Sequence, residues 1–260
     1  MKLGSGYNLG GNGDLKYNIT ATATYGPDPN SNATSYNVKY ERVNISLGNG
    51  LLYGGAVGYM FNKYIGLEMG INKLSGEENE LINSTTETPS RGYNSVNNRK
   101  LFSKMLYLQP SLVLGTEIGI TKPYSRFGLV AAKGTIYEII TDNSERGEYI
   151  WEGTYYDGWA IGLHGALGVE LKIYNHFSIF GEATITELEY SPERAKLSKA
   201  TANGTDFLSS LTIREKEAEY TYDYEVNHTD KPIDTSPLKQ PKFSMPFGSI
   251  GFGVGLKYNF

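Results

Sequence analysis

The sequence predicts an all-β fold, an eight-stranded antiparallel up-and-down transmembrane β-barrel with long extracellular loops. Three observations carry that prediction. Apolar residues recur at every second position over most of the chain, the period of a strand whose alternate side chains share a face. The opposite face is Gly, Ala and Ser with scattered charges, where a water-facing sheet would carry mostly Lys, Glu, Asp and Gln. The connections are tight turns on one side and long polar segments on the other, as in a barrel that crosses a bilayer.

The strands follow in order. At the start, Leu3, Tyr7 and Leu9 oppose Lys2, Gly4, Gly6 and Asn8, giving a strand over 2–9. Over 38–61, Val43, Ile45, Leu47, Leu51, Tyr53, Val57, Tyr59 and Phe61 oppose Asn44, Ser46, Gly48, Gly54 and Gly58. Over 64–76, Ile65, Leu67, Met69 and Ile71 oppose Gly66, Glu68, Gly70 and Asn72. The strand at 100–117 sets Phe102, Leu106, Leu108, Leu112 and Leu114 against Ser103, Tyr107, Gln109 and Ser111. Its Pro110 has no N–H to pair, so a bulge is expected there. At 124–141, Phe127 and Leu129 oppose Arg126 and Gly128. At 149–172, Trp159, Ile161, Leu163, Leu167 and Val169 oppose Ala160, Gly162, His164, Gly168 and Glu170. At 177–190, Phe177, Ile179 and Ile185 oppose Ser178, Glu182 and Thr184, with Phe180 against the rule. The last strand, 244–260, ends in "GSIGFGVGLKYNF", where Ile250, Phe252, Val254 and Leu256 alternate with glycine and Lys257.

Residues 62–63, 119–123 and 174–176 are expected as tight turns. Long loops are expected over about 10–37, 77–99 and 191–243, all within one barrel domain spanning 1–260. A barrel of about eight strands has an interior only just wide enough for side chains. Its inner wall therefore takes the small residues, and lipid takes the large apolar ones. Aromatics near the strand ends extend the argument. Tyr59, Phe61, Tyr64, Tyr124, Tyr174, Phe177, Tyr258 and Phe260 are expected at one interface, and Tyr137, Trp151, Tyr155 and Trp159 at the other.

Bulk properties bound the rest. The chain has 260 residues, no cysteine and a net charge of −4, which exclude a disulfide framework and give no basic surface for nucleic acid. No apolar run approaches the roughly 20 residues of a membrane-spanning helix. Met1 leads straight into "KLGSGYNLGG", so an export signal is expected to lie outside this chain.

The strand-and-turn pattern resembles the small OmpA/OmpX-like outer-membrane β-barrels of Gram-negative bacteria. The C-terminus is similar to that family's assembly signal, a glycine followed by aromatic or apolar residues at the third-last and last positions, here Gly255, Tyr258 and Phe260. Gly253 stands where the signal usually carries a polar residue. The resemblance implies an outer-membrane location, recognition by the barrel assembly machinery during biogenesis, and outer-membrane lipid and lipopolysaccharide as surroundings. It assigns no one activity.

Candidate functional residues fall in two groups. Glu68, Arg126, Glu170, Glu182 and Lys257 are expected to face the lumen, with Lys2 and Lys172 nearby. Charges in that setting pair or meet water. They form a salt-bridged plug or, alternatively, line a narrow gated channel. Above the membrane, "EKEAEYTYDYEV" alternates Tyr220, Tyr222 and Tyr224 with acids, a strand that could dock a protein or a sugar, expected to pair with 135–143 or 148–159. Small barrels that modify lipid A use serine, histidine and an acid, so Ser178, His164 and Glu182 define an enzyme alternative. His164, His176 and His228 share no ligand at metal spacing, "GEENE" at 76–80 lacks the EF-hand spacing, and no cofactor is expected. The reading is a non-enzymatic structural or surface-binding protein, or an accessory subunit of a larger outer-membrane complex with another outer-membrane protein as partner.

Overall fold

The computed structural model describes residues 1–10, 19–27, 34–42, 45–87, 94–223 and 235–260, with backbone alone for 19–27, 34–42, 82–87 and 94. Eight antiparallel strands close a barrel: β1 (Lys2–Gly10), β2 (Gly50–Met60), β3 (Ile65–Gly76), β4 (Asn94–Gly115), β5 (Thr121–Ser144), β6 (Trp159–Tyr174), β7 (Phe177–Glu187) and β8 (Ser249–Tyr258). Each pairs with its successor, and β8 pairs with β1 from Lys2↔Lys257 to Gly10↔Ser249. Closure leaves no unpaired edge for lipid to desolvate.

The period-2 pattern decides what each face meets. Leu67, Ile71, Leu106, Leu129, Ile161, Leu167, Phe252 and Val254 are exposed on the outer wall. Glu68, Gln109, Arg126, His164, Glu170 and Ser178 are buried inside. Phe180, the large residue on the small face, is buried because its neighbours are empty. A Cβ at Gly255 would stand 2.6 Å from its ring and one at Gly4 would stand 3.0 Å from it.

Tight turns join the strands at the end that holds Met1 and Phe260. Asn62 closes the β2–β3 turn by accepting from the Tyr64 and Ile65 amides at 2.8 and 2.9 Å. Pro110 needs no bulge. Leu108↔Ala131 and Ser111↔Gly128 keep one register across it, and the ladder to β5 leaves Gln109 and Pro110 without partners.

Four expected strands are interrupted. The strand at 38–61 divides, because Thr34–Arg42 pairs with Ile19–Pro27 instead, and residues 45–49 turn inward before β2 begins. The strand at 149–172 divides at Asp157–Gly158. Asp157 sits at φ 63°, in the left-handed region, and the ladder to β5 slips by one residue between Ile136↔Tyr155 and Lys133↔Trp159. A one-residue slip exchanges the two faces. Tyr155 above the slip therefore points inward while Trp159 below it points to lipid, and the expected outer belt loses Tyr155. Trp151 packs edge-on against Phe207 in the external sheet and is not a belt residue either. The stretches 177–190 and 244–260 each give up a short piece. Glu189–Tyr190 and Met245–Pro246 form a separate two-stranded ladder.

These departures share a cause. Ile45, Leu47, Leu188, Tyr190, Met245 and Phe247 fold over the mouth of the barrel and pack on Leu74, Leu101, Met105, Tyr107, Val130 and Ile136 from the inner wall. Backbone bonds stitch the cap, with Leu47 N–H donating to Pro246 O at 3.0 Å and Phe247 N–H to Leu188 O at 2.8 Å. The Tyr190 hydroxyl donates to Gly134 O at 2.9 Å. Each fully buried Leu, Ile or Phe contributes about 1.5–3 kcal/mol, so the cap is a dry seal.

Beyond the cap the strands continue. β4 has 22 residues and β5 has 24, where about 9–11 suffice to cross a bilayer. Their outer ends seed an external sheet. On one side stand Asn79–Glu87, Ile19–Pro27 and Thr34–Arg42; on the other stand Gly147–Tyr156, Arg194–Ala202, Glu217–Thr221 and Leu238–Pro241. The long 191–243 segment thus adds external strands, and the membrane barrel stays at eight.

Candidate functional site

The lumen is filled in its lower half by charges. Arg126 on β5 reaches across the barrel to two carboxylates, Glu68 on β3 and Glu182 on β7, the latter at 2.7 Å. Lys2 on β1 completes the group at 3.1 Å from Glu68. The Tyr124 hydroxyl donates to Glu182 at 2.8 Å, and the Lys2 ammonium lies 4.3 Å from the Tyr124 ring centre. The charges balance, two positive and two negative, and all four are buried or nearly so. Lower still, Lys257 and Glu170 pair at 2.7 Å. Lys172 is exposed at the rim and joins neither group. The structure therefore unites Glu68, Arg126 and Glu182 and places Glu170 and Lys257 in a second pair.

Between the ion pairs and the cap lies a void of about 60 Å³ lined by Asn8, Asn72, Gln109, Arg126, His164 and Thr184. Asn72 donates to Gln109 at 2.6 Å, and His164 Nδ1 contacts Thr186 Oγ1 at 3.3 Å. Its polar wall suits internal water.

The triad alternative fails on geometry. His164 is opposite Thr186, whereas Ser178 is opposite Lys172, eight residues along the ladder. At about 3.4 Å per residue that is roughly 27 Å. Glu182, between them, is engaged by Arg126 and Tyr124. The other histidines are elsewhere. His176 meets Asn259 O at 2.8 Å in the β6–β7 turn, and His228 lies outside the described residues. The acids near 76–80 diverge to separate partners, Glu77 to Asn49, Glu78 to Lys100 and Glu80 to Asn98.

The second site is outside the membrane, where the external sheet meets the cap. Tyr155, Tyr220 and Phe243 surround a cleft of about 290 Å³ with Leu81, Leu101, Arg99, Gln240 and Lys242. The rings meet edge-on, Tyr220 to Phe243 at 4.9 Å and Tyr155 to Phe243 at 6.1 Å between centres. The face exchange at Asp157 is what turns Tyr155 into this cleft. Beneath it, Glu138 is held between the Arg99 Nε–H and the Tyr155 hydroxyl, which donates at 2.6 Å. Burial, reinforced by the Glu138 carboxylate, pushes the Tyr155 phenol above its ordinary range. Burial opposes charge on Arg99, but Glu138 outweighs it and holds the guanidinium protonated.

The tyrosine row is split by the fold. A single helical turn, Ile213–Lys216, capped by Thr212 and Glu215, precedes a shorter strand, Glu217–Thr221. That strand pairs with Arg194–Ala202 and Leu238–Pro241, not with the β5 extension or Gly147–Tyr156. Tyr220 enters the cleft. Tyr222 is 84% exposed with the Lys242 ammonium 4.8 Å from its ring, and Tyr224 lies outside the described residues. At the other end of the molecule, Gly255 lies in β8, and Tyr258 contacts both Phe177 and Phe260 at 5.0 Å.

Sequence reasoning placed Tyr124 in the lower aromatic belt, whereas it is buried in the lumen against Glu182 and Lys2, and it missed Arg99, Glu138 and Phe243. Tyr124, Arg99 and Glu138 were readable, because each continues the inward parity of Arg126 or Gln109. Phe243 was not, since it belongs to the fold-back before β8.

Comparison with known proteins adds three findings. The model of the outer membrane protein beta-barrel domain matches residues 16–214. Among solved structures the chain is similar to that of Acinetobacter baumannii CarO, with 13% identity, coverage of 100% of this chain and 98% of that one, and a TM-score of 0.31. No curated protein matches the sequence.

Proposed function

The chain belongs to the outer membrane protein β-barrel domain family, and from that premise we propose that it is a non-enzymatic surface-binding protein. The barrel anchors it, and the external sheet with its aromatic cleft does the binding. One observation carries this reading. Among the described residues the lumen is closed twice, by the Lys2–Glu68–Arg126–Glu182 group and by the dry Leu47–Tyr190–Phe247 cap, while strands that outrun the membrane form an external sheet, and several of them line the cleft. The gated-channel alternative would need both closures to open. The enzyme alternative has lost its triad.

The cleft is near the lower end of small-molecule pockets, about 300–1,000 Å³. Its rings offer apolar faces, and Gln240 and Lys242 offer donors at the rim, a combination suited to a compact amphipathic group on a glycan or protein. The test is binding of the purified, folded protein to a panel of surface glycans and proteins, against Tyr220→Ala and Phe243→Ala. Loss of binding in both variants with the barrel intact supports the reading. Undiminished binding would remove the cleft from it, and stable co-purification with another outer-membrane protein would favour the accessory-subunit role instead.

A further inference from the structure

The outer wall carries a basic cluster that neither the lumen nor the cleft uses. The register aligns Tyr53, Lys73, Leu106, Lys133 and Trp159 in one row across β2 to β6. Leu106 and Trp159 are 55% and 62% exposed, so this row faces outward. Lys104 stands on the same face one step above Leu106, opposite Ser75 and Thr135. All three lysines are exposed. Strands are about 4.8 Å apart and next-but-one residues about 7 Å apart, so Lys73, Lys104 and Lys133 form a triangle with edges of roughly 8–10 Å.

Its depth is informative. The next row below is Ile71, Leu108, Ala131 and Ile161, and apolar residues continue from there to Ile65 and Leu114. The triangle therefore sits where the hydrocarbon band ends and headgroups begin. Two aromatic rings hold the ammonium groups at that level, Trp159 at 5.4 Å from Lys133 Nζ and Tyr137 at 5.3 Å from Lys104 Nζ. No carboxylate of the described residues pairs with any of the three. Most other basic side chains on β1 to β5 behave differently. Lys2, Arg99, Lys100, Lys122 and Arg126 each meet a glutamate.

We propose that Lys73, Lys104 and Lys133 bind the phosphorylated headgroup of an outer-leaflet lipid, whose acyl chains lie on the apolar wall beneath. Three exposed cations, unpaired among the described residues, on a rigid wall at headgroup depth and above a greasy surface match an amphiphile with phosphate at its head. This rests on the barrel's place in the membrane and is independent of the cleft.

The experiment reconstitutes the folded protein in phosphatidylcholine nanodiscs doped with bisphosphorylated lipid A or its dephosphorylated form. Bound lipid is counted by native mass spectrometry after detergent release. The wild type should retain the phosphorylated form selectively. A lysine at an anionic surface is worth about fivefold in affinity, so Lys73→Gln, Lys104→Gln and Lys133→Gln together should weaken retention roughly a hundredfold. Equal retention of the two lipids by the wild type would overturn the proposal without reference to any variant, as would retention unchanged in the triple variant. Inorganic phosphate bound with the same lysine dependence, while lipid A is not retained, would overturn the lipid assignment in favour of the free ion. Loss of glycan or protein binding at the cleft would leave this site untouched.

Discussion

Replacing Arg126 by Met removes the one side chain that joins β3 to β7 across the lumen. Glu68 would keep Lys2 at 3.1 Å. Glu182 would keep only the neutral Tyr124 hydroxyl at 2.8 Å. The side chains of Glu68, Arg126 and Glu182 are 7%, 8% and 12% exposed, so bulk solvent does not replace the lost cation. Breaking a buried pair in this way costs about 3–5 kcal/mol, most of it from the carboxylate left without a cation. The assignment of the cost to Glu182 is testable by a second substitution. Glu182→Gln in the Arg126→Met background removes the orphaned charge and should recover about 1–3 kcal/mol. Urea unfolding from lipid vesicles, followed through Trp159 fluorescence on the lipid face, gives both differences. A single variant within about 1 kcal/mol of wild type, or a double variant no better than the single, would refute the view that this group is a structural plug.

Two further outcomes follow from the packing and the cleft. Gly255→Ala places a Cβ 2.2 Å from Leu3 O and 2.6 Å from the Phe180 ring, and should cost about 1–3 kcal/mol. Gly181→Ala meets nothing within 4 Å on the lipid face, and should change stability by less than about 0.5 kcal/mol; urea midpoints of the two variants check the contrast. Tyr155 holds its proton in the folded state at pH values where the unfolded chain, with a phenol pKa of about 10, releases it. The unfolded state then binds fewer protons, so stability falls as pH rises above about 10. The stability difference between wild type and Tyr155→Phe should be flat below that pH and shrink above it; a difference independent of pH would contradict the buried Tyr155–Glu138 contact.

Parity made much of this molecule legible in its sequence. A side chain at i and another at i+2 share a face whatever the rest of the chain does, so the lumenal place of Glu68, Arg126 and Glu182 followed from alternation alone. The mutual pairing of those three was less accessible, since it depends on which strands lie opposite across the barrel. The cap was not legible, because Val43, Ile45 and Leu47 alternate as well as any strand. Apolar residues can satisfy that pattern against lipid or against a plug, and only the fold-back of residues 45–49 onto Pro246 and Ser103 distinguishes the two. Tyr155 shows a different limit. The Asp157–Gly158 turn signal was present in the chain, but reading through it carried the lipid-facing parity of Trp159 upward past the slip. The cleft assembles residues from Leu81 to Met245, and local patterning carries no information about such a meeting.

Planar-bilayer recording of the purified wild-type protein tests the central claim, that the barrel is an anchor closed by an ion-paired layer and a dry cap. A silent bilayer containing demonstrably folded protein is the predicted result. Steady conductance through the wild type, abolished by filling the lumen further at Gly6 or Gly253, would contradict it and move the function from the external sheet into the lumen.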